Sequence, residues 1–245
     1  MKKGGFELSY LILSLLFYLI MVIVNALANI IPINGQTTGE ISNKLEVLIT
    51  PASYAFMIWG LIYVLLAVWL VRGFIKKYRG ISYTKTSSTL FVITCILNAT
   101  WILVWHYELF AISVIVILLL LLTLLILYKA IKSAAYRFFD VFPFSIYIGW
   151  ISVASIVNIS YFLTYIGLGP PEPLWTVSLL AVGGILGIFF RVMEKDWAYS
   201  LVIIWAYIAI GIKNWQTELA VSYTAFFISL LLLILVFIRF KKKRP

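Results

Sequence analysis

Three carboxamides, Asn25, Asn98 and Asn158, and three indoles, Trp59, Trp101 and Trp150, stand inside long runs of apolar residues. An amide facing hydrocarbon would leave its polar atoms unsatisfied, so these groups are expected to turn inward, toward another helix or a wet cavity. Helical spacing adds neighbours on the same faces. Asn98, Trp101 and Trp105 share one face, Phe56, Trp59 and Tyr63 another, and Tyr147, Trp150, Ala154 and Asn158 a third. Flat rings that stack, with few hydrogen-bonding groups beside them, suit a large planar hydrophobic ligand better than an ion or a sugar. The candidate ligand-binding residues are therefore Phe56, Trp59, Tyr63, Asn98, Trp101, Tyr147, Trp150 and Asn158, with Asn25 and Asn29 as further polar lining. Plain helix packing is the competing reading, because membrane asparagines also tie helices together.

Other chemistry finds little support. The one histidine, His106, has Glu108 two residues on, a spacing that does not bring both to one helical face, and no second His or Cys stands near it to complete a metal site. Cys95 lies inside an apolar run and reads as a small core residue. There is no Gly-rich phosphate loop and no acidic residue deep in a span to relay protons. No catalytic residue, metal ligand or required cofactor is expected.

The elements that must position the aromatic residues follow from composition. The chain of 245 residues is 64% hydrophobic and 11% charged, with a mean hydropathy of +1.08. That leaves too little polar surface for a soluble body, and the apolar runs lack the alternation of a β-barrel. Eight spans are expected: 8–30, 51–71, 87–105, 109–128, 141–166, 174–190, 197–212 and 219–238. Of the 19 Lys and Arg, 17 fall in the odd-numbered flanking pieces and two, Lys44 and Lys213, in the even-numbered ones. Basic residues near span ends stay on the cytoplasmic side, so both termini are expected there. The net charge of +10 thus belongs to topology and does not indicate nucleic acid. The run Lys241–Arg244 is suited to lie against anionic lipid heads.

In this arrangement Asn25, Asn98, Asn158 and Trp59 all fall about 8 to 12 Å below the outer surface, at ~1.5 Å per residue. Trp69, Trp105, Trp175, Trp197 and Trp215 lie near span ends and are expected in the interfacial aromatic belt. Residues 167–173 combine three prolines with two glycines and are expected to link a five-helix core, 1–166, to a three-helix extension, 174–245. The loop 32–49 is long enough to fold over the membrane face. The short turn 105–108 makes spans three and four antiparallel neighbours. Gly183 and Gly187 have the spacing that lets two helices approach closely. The first run is too long for an ordinary signal peptide and reads as an uncleaved helix.

The segment Thr50 to Tyr63, with its proline start followed by Phe56, Trp59 and Tyr63, resembles the second-helix signature of the translocator protein, or tryptophan-rich sensory protein, family. Asn98-Ala-Thr-Trp101 resembles the third-helix motif of that family, and Pro143, Tyr147, Trp150 and Asn158 its fifth-helix pattern. The resemblance covers five spans and implies a five-helix bundle binding tetrapyrroles such as protoporphyrin, or sterol-like and drug-like molecules. It also implies a bacterial plasma-membrane location and a homodimer. Two departures stand out: Leu45 to Thr50 replaces a Trp- and Pro-rich stretch, and three helices are added. The expected function is a membrane-embedded sensor or carrier for a planar hydrophobic ligand. The alternatives are a transporter of small hydrophobic solutes and a membrane regulator acting through partners.

Overall fold

A chain this apolar can satisfy its backbone within a membrane only by coiling each run into a helix. The computed structural model describes residues 3–75, 83–134, 138–169 and 173–238. Among them are the long helices α1 (Lys3–Ile30), α3 (Ile58–Phe74), α4 (Lys85–His106), α5 (Phe110–Ala134), α6 (Phe138–Tyr165), α7 (Leu174–Met193), α8 (Trp197–Asn214) and α9 (Leu219–Phe237), and the short α2 (Thr38–Ser42). Eight helical segments are long and apolar enough to cross a membrane, so the all-α, eight-span reading holds. Helix ends differ from the expected spans by a few residues. Two 3₁₀ segments, Ile33–Gly35 and Ser53–Met57, precede α3 among the described residues, and the second leads directly into it.

Local chemistry sets several starts. Thr84 and Ser87 form a capping box at α4, and Thr37 and Glu40 form another at α2. The Asp196 carboxylate accepts from the backbone N–H groups of Ala198 and Tyr199 and opens α8.

The described helices gather into two compact units. The first comprises residues 1–44 and 58–151, and the second residues 45–57 and 152–245. This partition differs from a cut at Gly167: it passes through α6, and it assigns the segment before α3 to the later helices. Pro170–Glu172 and the basic run Lys241–Arg244 lie outside the described residues.

In the first unit α1 packs on α3 and α4, and α4 packs along α5, as the short turn between them requires. That turn places Glu108 at φ 56°, a left-handed conformation that costs a non-glycine residue about 1–2 kcal/mol. Its side chain accepts a hydrogen bond from Lys44, with which it is ion-paired, and from Gln36 at 3.5 Å. Asn34 donates to the His106 carbonyl at 3.0 Å, and the Thr38 hydroxyl meets His106 Nε2 at 3.5 Å. The loop 32–44 is thereby strapped to the α4–α5 turn. His106 is wholly buried, with Nδ1 2.8 Å from the Ile102 carbonyl oxygen, as a structural histidine should be.

In the second unit α7, α8 and α9 pack on one another. Gly183 lies under the Tyr207 ring, Gly184 against Ile228 and Gly187 against Leu232, so the small-residue spacing serves packing within the chain. Arg191 donates to the carbonyls of Leu235 (2.9 Å), Val236 (3.2 Å) and Ile238, binding the end of α9.

Candidate functional site

Four helices of the first unit contribute to one aromatic cluster. The Trp59 ring, at the start of α3, has four ring neighbours within 6.3 Å, centroid to centroid. Tyr63 is stacked at 5.8 Å, which one helical turn dictates. Trp101 of α4 lies at 6.3 Å, and Tyr147 and Trp150 of α6 meet the ring edge-on at 6.1 and 6.3 Å. These separations fall in the range where aromatic pairs attract, at about 0.5–1.5 kcal/mol each. Trp101 also stacks on Trp105 at 5.9 Å, and Trp105 packs on Phe110 of α5 at 5.2 Å.

A line of amides supports the rings from behind. Asn25 of α1 donates to Asn98 Oδ1 at 2.8 Å, and Asn98 Nδ2 donates to the Tyr147 hydroxyl at 2.7 Å. Asn25 also donates to the Met21 carbonyl at 2.9 Å. All three side chains are buried, and the chain of bonds joins α1, α4 and α6. Tyr18 of α1, which spacing alone did not single out, donates to the Tyr63 carbonyl at 2.8 Å. A tyrosine two helical turns before Asn25 on the same face (18, 21, 25) was the available signal.

The residues differ in how open they are. Tyr147, Trp150 and Trp101 are buried, whereas Trp59 and Tyr63 are half-buried and form the accessible side of the cluster. The Tyr63 hydroxyl is enclosed and has no hydrogen-bond partner among the described residues. It is an unused polar group beside the Trp59 stack.

Of the residues expected from the sequence, Asn25, Trp59, Tyr63, Asn98, Trp101, Tyr147 and Trp150 come together in this unit. Asn29 is exposed and donates back to the Asn25 carbonyl of its own helix at 2.9 Å. Phe56 is half-buried in the 3₁₀ segment, and Asn158 is buried in the second half of α6; both are grouped with the second unit. The interfacial reading of Trp69 and Trp105 is corrected: they are 0% and 3% exposed. Proximity to a span end does not by itself bring an indole to the surface, because α3 and α4 carry neighbours on those faces. Trp175 is half-buried, while Trp197 and Trp215 are 38% and 48% exposed, as belt residues should be.

Trp69 centres a second cluster in the same unit. Its ring lies 4.6 Å from Tyr83, 5.1 Å from Phe91 and 5.0 Å from Phe144, all buried. Tyr83 donates to the Trp69 carbonyl, and burial pushes its hydroxyl pKa up. Beside it the buried Asp140 accepts from Arg72 at 3.1 Å, and the guanidinium lies 5.5 Å from the Phe139 ring. Gly73 makes room for this, since a Cβ there would meet Leu11 and Tyr83 at 2.6 and 2.7 Å.

Among the described residues no group of His, Cys, Asp and Glu is arranged to hold a metal ion. No curated protein and no solved structure gives a significant match to the chain. The sequence model of the family described as TSPO-like protein matches residues 11–238, which takes in the last three helices together with the first five. An aromatic cluster held by α1, α3, α4 and α6 accords with that match, and the chain belongs to the TSPO-like protein family.

Proposed function

We propose that the protein is a membrane-embedded binding protein, a sensor or carrier, for a planar hydrophobic ligand of the tetrapyrrole class, received at the Trp59 cluster. The carrying observation is the half-buried Trp59–Tyr63 stack backed by buried Trp101, Tyr147 and Trp150. A flat ligand lying on that stack extends it at little conformational cost, because the amide line Asn25–Asn98–Tyr147 already fixes the rings behind it. Membership of the TSPO-like family supports the same reading. The skewed distribution of Lys and Arg supports a plasma-membrane protein with both termini in the cytoplasm.

The test is a protoporphyrin titration of the full chain in nanodiscs, read by tryptophan fluorescence. Saturable quenching that weakens in Trp59→Ala and Trp150→Ala is expected. Quenching that never saturates and is identical in both variants would show mere partitioning into lipid and remove the proposal.

A further inference from the structure

We infer a second binding site, for the headgroup of an anionic phospholipid, in a groove of about 680 Å³ at the α8–α9 turn. It is lined by Ile212, Lys213, Trp215, Gln216, Thr217 and Phe226 and lies wholly within the second unit. This inference is independent of the Trp59 cluster and does not rest on the proposed function.

Lys213 is the first reason. Only two cations stand in the even-numbered flanking pieces, Lys44 and Lys213. Lys44 is committed to Glu108. Lys213 forms no ion pair among the described residues; Glu46 acts on it electrostatically without reaching ion-pair distance. It is one residue from the end of a helix long and apolar enough to span the membrane, a position from which a lysine can extend its stem along apolar surface and bring its ammonium to lipid phosphates.

The second reason is what surrounds it. Gln216 and Thr217 add an amide and a hydroxyl on the polar side. Trp215 packs against Tyr223 at 5.8 Å and Phe226 at 5.9 Å, making an aromatic wall of the kind found at lipid glycerol level. Phe226 can lie this low because α8 has glycine beneath it: a Cβ on Gly211 would meet the ring at 2.7 Å. The groove thus joins a cation and neutral donors to a flat apolar floor, which is the complement of a phosphate ester continuing into an acyl chain. Its size accommodates a headgroup with the first part of a chain.

Native mass spectrometry of the full chain, with phosphatidylglycerol, phosphatidylcholine or glycerol phosphate added at equal concentration, tests this. Phosphatidylglycerol is expected to be retained in preference to phosphatidylcholine. Lys213→Gln lowers that retention about tenfold, the size of one lost hydrogen bond to a charged group. Lys44→Gln leaves it unchanged, Glu46→Gln raises it, and Gly211→Ala lowers it by lifting Phe226 into the groove. Equal retention by wild type and Lys213→Gln overturns the site. So does displacement of the lipid by glycerol phosphate, which would make the ligand a free phosphate with no use for the apolar floor.

Discussion

Two aromatic clusters lie on α3 of the same compact unit, ten residues and therefore ~15 Å apart along the helix, and they differ in how open they are. The cluster at Trp69 is closed: Trp69, Phe91 and Phe144 are all 0% exposed, and the Arg72–Asp140 pair lies beside them. The Trp69 indole N–H is enclosed and has no hydrogen-bond partner among the described residues. The cluster at Trp59 uses the same residue types but leaves two rings half-buried and a tyrosine hydroxyl unused beside them. Composition does not separate the two clusters, whereas burial of the residues does.

The sharpest way to break this contrast is to remove the central indole from each cluster. Trp69→Ala should cost about 3–5 kcal/mol, since it leaves a large cavity in a closed core. Thermal unfolding in detergent measures the loss, and the molecules that remain folded should still quench saturably with protoporphyrin. If binding falls in proportion at all temperatures, the two clusters are not separate in function.

Asp140→Asn should rank next. It leaves Arg72 facing a neutral partner, and breaking a fully buried pair costs ~3–5 kcal/mol, less here because Arg72 keeps 18% of its side chain exposed. The same unfolding assay measures it, and Arg72→Met in the Asp140→Asn background should recover part of the loss.

Trp59→Ala should show the opposite pattern. A half-buried ring costs less stability than Trp69 when removed, but ligand affinity should fall about tenfold, the size of one stacking contact. An affinity within twofold of wild type would place the ligand elsewhere.

Asn98→Leu sharpens the role assigned to the amides. It cuts both the Asn25 and the Tyr147 bonds at a cost of ~1 kcal/mol, in line with hydrogen bonds between membrane helices. Slower ring immobilisation should appear as a faster off-rate in stopped-flow quenching, with the on-rate unchanged.

The smallest effect concerns the strap over the α4–α5 turn. The hydrogen bond from Lys44 holds the Glu108 carboxyl below the usual carboxylate range. Its contribution is therefore complete above the ordinary value of ~4.3 and fades as pH falls through the lower folded value. Solvent screening keeps it within ~0.2–1 kcal/mol. Hydrogen-exchange protection of amides 33–44, taken relative to their intrinsic rates, should fall below that range in wild type, and Lys44→Gln should show the lower protection already at neutral pH.

Much of the site could be read from residue types. Asn98 and Trp101 on one helix, with Tyr147 and Trp150 on another, are placed by the 3.6-residue period, and burial of amides in an apolar run follows from their desolvation cost. Tyr18 and Trp105 were harder to place, because one bonds only to a backbone carbonyl and the other lies where an interfacial role fits equally well.

Hydrophobic run length and the sidedness of Lys and Arg, both local quantities, were enough to define an all-helical membrane chain of eight spans, since backbone satisfaction in lipid leaves no other choice. Which tryptophans are sealed and which are accessible depended on neighbours up to about a hundred residues away in the chain. Phe144 meets Trp69 edge-on at 5.0 Å, while the edge-on rings on Trp59, Tyr147 and Trp150, stand off at 6.1 and 6.3 Å and leave it half-buried. The compact units likewise divide within α6 and not at the proline-rich segment, because packing follows contact between helix faces and a breaker residue marks only where a helix must stop.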